Sequence, residues 1–340
     1  MDKTLIKKLK KVTQGYIEHN KLIRNAGTTN LLIRHAIKIG IEVYQVFPNK
    51  LIFILKKGKK ILWINMSLSS LANPVGVVIA KNKSLSKDLL QKMGYPVPDS
   101  ITIKDPSELK KILTKIKFPI VVKPLGAAGG KGVTINVRNK KLLISSFLAA
   151  KHYGKRVLIE QHLAGDYYRL TYIADGSYAA TKNLPAFITG DGKKTAQQLI
   201  VAENKKFERM RKGRLNKIKI TEKTKRFLAS DGFVLSSILP KGKKIPLCFS
   251  GYDGGEYIDV TDKMHPYFKK LGKDVADNLS LPIVGIDIIA TDISKPLTKT
   301  GGAIIEINGK YPDIQFHNVP TQGKSINLAP YFINYLLKEL

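Results

Sequence analysis

At 340 residues the chain is long enough to bury a sizeable core and to hold two or three subdomains. Its one cysteine, Cys248, excludes an internal disulfide and a cysteine-built zinc site, and its six histidines show no metal-ligand spacing. The formal charge of +32 is extreme, but the lysines run along the whole chain without a basic tail, and "KNKSLSK" and "PKGKK" lack the aromatic platforms of a nucleic-acid surface. The charge alone leaves an anionic partner open, while nucleic acid is not the expected one. The opening "MDKTLIKKLKKVTQGY" has no apolar h-region and no stretch reaches a membrane span, so the expected location is a reducing cytoplasm, with no membrane contact.

In chain order, residues 1–80 read as an N-terminal α/β subdomain. "NLLIRHAIKIG" has helical spacing and stops at Gly40; "EVYQVF" and "VGVVIA" read as strands, and "LIFILKKGKKILWIN" as a hairpin turning at Gly58. Residues 81–165 form a central subdomain. The helix "SLSKDLLQKMGYPVP" stops at Gly94, and strand, helix ("DPSELKKILTKIK"), strand, glycine loop, strand, helix ("KKLLISSFLAAKHYG") and strand ("RVLIEQHL") follow. Residues 166–340 form a C-terminal subdomain. "YYRLTYIADGSYAAT" reads as a hairpin with Asp175-Gly176 in its turn, "IVGIDIIATD" and "GGAIIEIN" as buried strands, and "LAPYFINYLL" as an amphipathic helix. The fold class is mixed α/β, of the α+β kind.

Two stretches carry chemistry. The first is "PIVVKPLGAAGGKGVTIN", residues 119–136. It is no P-loop, since only three residues separate Gly126 from Gly130-Lys131, and it is no dinucleotide fingerprint, since a strand and not a helix follows. Its glycines let backbone N–H groups approach an anion, while Lys123 and Lys131 add point charges suited to phosphate. The second is a pair of carboxylates inside apolar β-branched runs, Asp287 and Glu306, with Asn308 on the same strand face as Glu306. A lone carboxylate there is costly to desolvate, so it should be paired, solvated or on a metal. Oxygen-only ligands suit magnesium held jointly with phosphates, if the two strands are neighbours. Asp292 lies in the loop beyond and reads as structural.

Together these stretches make the chain resemble the ATP-grasp superfamily of carboxylate–amine ligases. Within it, the closest likeness is to the ATP-grasp region of cyanophycin synthetases. The likeness runs from about residue 75 to 320 and rests on "NKSLSKDLLQKMGYPVP", "VVKPLGAAGGKGVTIN", "PAFITGDGKKTAQQLI", "LNKIKI", "IDVTDKMHP", "GIDIIATDISKP" and "GGAIIEIN". It implies an ATP-grasp fold with the nucleotide between the central and C-terminal subdomains. It also implies roles for particular residues. Lys83 and Lys123 would bind ATP phosphates, and the loop containing Gly129, Gly130, Lys131 and Gly132 would close over them as a lid. Glu160, Gln161 and Leu163 would form the adenine hinge, and Asp166 would hold the ribose, since Tyr167 stands where the family carries an acid. Asp287, Glu306 and Asn308 would hold magnesium, with manganese as the alternative. Arg169 would line the catalytic site with Lys123. The family's arginine before "GG" is missing from "KKIPLCFSGYDGGEY".

The implied reaction is ATP-dependent amide or peptide bond formation through an acyl phosphate, on amino acids or a short, acidic peptide. A homodimer or tetramer is the family's analogy. Three rival readings stay open: a non-catalytic ATP-binding module, a glutathione-synthetase-like or D-alanine-ligase-like enzyme, and, from the charge alone, a nucleic-acid binder.

Overall fold

The computed structural model describes residues 3–109, 113, 117–126, 132–210, 217–248 and 254–339. Short helices at Lys3–Lys7, Gln14–His19 and Lys21–Arg24 lie around and after β1 (Lys10–Val12), and α1 (Gly27–Lys38), β2 (Glu42–Gln45), β3 (Ile52–Lys57), β4 (Lys60–Asn65) and β5 (Leu68–Ser69) follow. The predicted hairpin forms: Lys57 pairs with Lys60, and Gly58 takes φ +61°, which a side chain would resist.

Residues 75–80 do not form the expected strand. They belong to α2 (Pro74–Lys81). An unbroken apolar run has no alternation to separate strand from buried helix. Here Pro74 suits a first turn, and Asn73 Oδ1 accepts from the Val75 N–H at 3.0 Å. Gly76 is buried where α2 meets the end of a later helix, so close that a Cβ would collide with the Leu279 carbonyl.

After α2 come α3 (Lys83–Lys92), β6 (Ser100–Ile103), β7 (Ile120–Pro124), β8 (Thr134–Val137), α4 (Lys140–Lys151) and β9 (Val157–Gln161). Asn82 caps α3, accepting from Ser84 and Leu85 N–H groups, and Gly94 ends it at φ +79°. The helix expected over "DPSELKKILTKIK" begins as a single 3₁₀ turn, Pro106–Glu108; residues 110–112 and 114–116 lie outside the described residues.

The C-terminal half supplies β10 (Asp166–Ile173), β11 (Tyr178–Leu184), β12 (Phe187–Thr189), β13 (Lys244–Pro246), β14 (Glu256–Asp259), α5 (Pro266–Leu279), β15 (Ile283–Ala290), β16 (Ala303–Asn308), α6 (Gln315–Asn318) and α7 (Ala329–Lys338). Adjacent β10 and β11 turn at Gly176 as the sequence predicts.

The chain divides into two compact units, Met1–Lys81 with Tyr168–Ile286 and Ile307–Leu340, and Asn82–Tyr167 with Asp287–Glu306. In the first, β1 to β5 form an antiparallel sheet in chain order. Its core joins Leu32 and Ile33 of α1 and Phe53 of β3 to Phe332, Ile333 and Leu336 of α7, tying the first residues to the last. A second sheet has the order β14-β11-β10-β15-β16, and the division between units falls within β15 and β16. In the second unit, β6-β9-β7-β8 form a sheet whose apolar face packs against Leu143, Phe147 and Ala150 of α4. Among the described residues, no helix is long and apolar enough to cross a membrane.

Candidate active site

The expected strand–glycine loop–strand is present: β7 and β8 pair antiparallel, Ile120 opposite Val137. Gly126 and Gly132 flank the loop, Gly132 at φ +68°. Gly129, Gly130 and Lys131 lie outside the described residues.

Strand alternation sorts the second unit's sheet into two faces. Ile120, Val122, Val157 and Ile159 enter the apolar core. The intervening positions carry Lys123 and Glu160, and Lys123 Nζ sits 2.6 Å from Glu160 Oε2. The other carboxylate oxygen, Oε1, is held by Lys87 Nζ. Glu160 is only 4% exposed and so is Lys87. Burial opposes ionisation of Glu160, but Lys123 and Lys87 outweigh it and hold the carboxyl below its usual range. Burial pulls the Lys87 ammonium down from its usual range against the support of Glu160. Lys87 was not singled out in the sequence; its one signal there is its position a helical turn after Lys83. Past Glu160, the Gln161 N–H donates to the Asp99 carbonyl at 2.9 Å, Leu163 is half-buried, and Asp166 begins β10.

The two carboxylates sit on hydrogen-bonded neighbouring strands. A Cβ on Gly285 would lie 3.4 Å from Asn308 Cβ, and one on Gly302 would collide with the Ile289 carbonyl. The start of β15 thus lies beside the end of β16, and two residues inward Asp287 and Glu306 share a face. Asp287 is 4% exposed. Glu306 Oε1 is 2.8 Å from Lys83 Nζ. Among the described residues, no three His, Cys, Asp or Glu side chains gather as a metal site, so Asp287 and Glu306 would need Asn308 or phosphate oxygens to complete one. Asp292 is structural: its Oδ1 accepts from the Ser294 N–H and hydroxyl, and Lys295 pairs with it.

Arg169 lies in the first unit, on β10. Its Nη1 is 2.9 Å from where a Gly285 Cβ would be, so the missing side chain makes room for the guanidinium. The guanidinium also lies 5.5 Å from the Phe316 ring, which stacks on Tyr257 at 5.2 Å. Beside them His317 is buried, its Nε2 2.8 Å from Thr171 Oγ1. Burial, then Arg169, pushes the imidazole down to about 3. His317 therefore stays neutral in the folded chain while an unfolded histidine takes a proton below about pH 6.5. Its contribution to stability is complete above that pH and is lost as pH falls towards 3, by up to about 1.4 kcal/mol per pH unit. Urea unfolding between pH 4 and 7 should show this slope, and His317→Gln should flatten it.

A family model for the phosphoribosylglycinamide synthetase ATP-grasp (A) domain matches residues 81–191. The cyanophycin synthetase of Synechocystis sp. is 34% identical over 280 residues, 80% of this chain and 32% of its own. The glutathione biosynthesis bifunctional protein of Pasteurella multocida is 28% identical over 92% of this chain and 43% of its own. The chain thus spans about a third to under half of these relatives' lengths. A crystal structure of a bifunctional glutathione synthetase from Pasteurella multocida superposes with a TM-score of 0.63 at 27% identity, over 92% of this chain and 44% of that one.

Proposed function

We propose, from the premise that this chain belongs to the ATP-grasp superfamily of carboxylate–amine ligases close to the cyanophycin synthetases, that it joins an acid to an amine at the expense of ATP. The observation that carries the reading is the contact of Lys83 with Glu306. It pairs a candidate phosphate ligand with a candidate metal ligand, and it sits beside the Lys123–Glu160–Lys87 cluster of the same unit.

Asp287, Glu306 and Asn308 would hold magnesium, or manganese in its place. The donor set fits: it is all hard oxygen, and Glu306 already accommodates a cationic group, the Lys83 ammonium. Magnesium supplies charge neutralisation on the transferring phosphoryl group. Lys83 and Lys123 would hold phosphate oxygens, the loop containing Gly129, Gly130, Lys131 and Gly132 would exclude water, and Glu160, Gln161 and Leu163 would hold the base. Asp166 would hold the ribose. Arg169 would face the reacting carboxylate, which attacks the γ-phosphorus and releases ADP; the amine then displaces phosphate to give the amide. No protein nucleophile is required, since positioning and electrostatics carry such transfers.

Amino acids or short peptides are the substrates this reading implies, and the surplus of lysine favours acidic ones. The buried thiol of Cys248, the sole cysteine, suits a reducing cytoplasm. A homodimer or tetramer is part of the same proposal. The match to the glutathione biosynthesis protein over 92% of the chain favours a second reading, a glutathione-synthetase-like acceptor in the same reaction class.

The test is ADP release from MgATP across pairs of amino acids and short peptides. ADP should form only when an acid and an amine are both present, and the productive pair identifies the acceptor. Nucleotide binding with no ADP from any pair would instead mark a non-catalytic ATP-binding module.

A further inference from the structure

The buried cluster on the polar face of the second unit's sheet holds one more positive charge than it needs for itself. Glu160 carries one negative charge and touches two ammonium groups, Lys123 at 2.6 Å and Lys87. Lys83, one helical turn from Lys87, is matched separately by Glu306. Among these five described side chains the sum is three positive charges against two negative.

The positions of the lysines decide which charge is surplus. Lys87 is 4% exposed, on the buried face of α3 beside Ser86 and Leu90. A group so enclosed cannot turn to a ligand without leaving the Glu160 carboxylate. Lys123 is more open, its side chain 12% exposed, and it stands one residue before the end of β7, where the chain enters the glycine loop. If Lys87 satisfies Glu160 alone, Lys123 can leave Glu160 for an anion without abandoning a buried carboxylate, which would be costly.

We propose that Lys87 is a positioning residue of the nucleotide site: by neutralising Glu160 from behind, it leaves the charge of Lys123 uncompensated for a phosphate group. This rests on reading Lys123 as a phosphate ligand. Lys87 itself touches no phosphate. It acts by keeping Glu160 from claiming Lys123.

Inorganic tripolyphosphate is the probe, because it has no base and so ignores any contact of Glu160 with adenine. Binding is measured by calorimetry at low ionic strength on the full chain, with Lys123→Met giving the background from the rest of the basic surface. Lys87→Met should weaken site binding about tenfold, because Lys123 is then fully engaged by Glu160. Glu160→Gln should bind more tightly than wild type, by about threefold or more, since both lysines are then uncompensated. The double variant Lys87→Met/Glu160→Gln has the wild-type surplus of one and should recover wild-type affinity. A purely structural role for Lys87 would leave the double variant as weak as the single one. If Lys87→Met fails to fold, Glu160→Gln still decides, because affinity no tighter than wild type overturns the proposal. Lys87→Met at wild-type affinity also overturns it. If instead wild type binds no better than Lys123→Met, the phosphate-site reading fails first and the inference falls with it.

Discussion

Glu306→Gln should lower ADP release, at saturating ATP and magnesium, by about a hundredfold or more. The substitution keeps the shape of the side chain and removes a negative oxygen that the reading assigns to the metal. Preorganised charge at a phosphoryl-transfer site is worth a few kcal/mol in the transition state, hence the magnitude. The fold should scarcely notice. Glu306 is 37% exposed and pairs with Lys83, so loss of that ion pair changes stability by about 1 kcal/mol or less. Steady-state kinetics beside a thermal melt would separate the two effects. Full turnover in the variant would remove Glu306 from the metal site and, with it, the present account of Asp287 and Asn308.

Gly76→Ala should lower the free energy of unfolding by about 2 kcal/mol. Two effects oppose each other. Alanine in the middle of a helix gains about 1 kcal/mol over glycine. A methyl group at position 76 would collide with the Leu279 carbonyl, and a backbone atom at the end of α5 cannot swing aside as a side-chain tip would. Overpacking against fixed atoms costs about 3 kcal/mol, so the collision prevails. Val78, on the same helix, is 60% exposed, and Val78→Ala should be neutral or slightly stabilising. Urea titration of both variants checks the contrast. Equal stability at position 76 would mean that α2 and α5 separate more readily than their packing suggests.

How far the sequence could be read depended on whether a residue broke its local pattern. Asp287 and Glu306 were legible because each interrupts an apolar β-branched run, and such a carboxylate must be accounted for. The hairpin at Gly58 was legible because a turn residue stands between two β-branched and aromatic runs. Residues 75–80 were not, since an apolar run suits a buried strand and a buried helix equally, and the Asn73 cap and the Leu279 contact decide. Lys87 was illegible for a different reason. In a chain with 58 lysines and arginines one more lysine carries no signal, and only its burial against Glu160 sets it apart. His317 is likewise one histidine in a short helix until the packing of Thr171, Phe316 and Arg169 around it is known.

The hollow at Gly285 has a consequence for any attempt to reshape this protein. What stands in it is the tip of a long, pliable arginine, which can retreat from an intruding methyl with little harm to the scaffold. Screens that reward robustness alone would therefore let the position drift, and, if Arg169 faces the reacting carboxylate as proposed, the guanidinium would lose its aim while the molecule stayed intact. On that proposal durability and competence part company at this residue, and an assay of chemistry would register the difference.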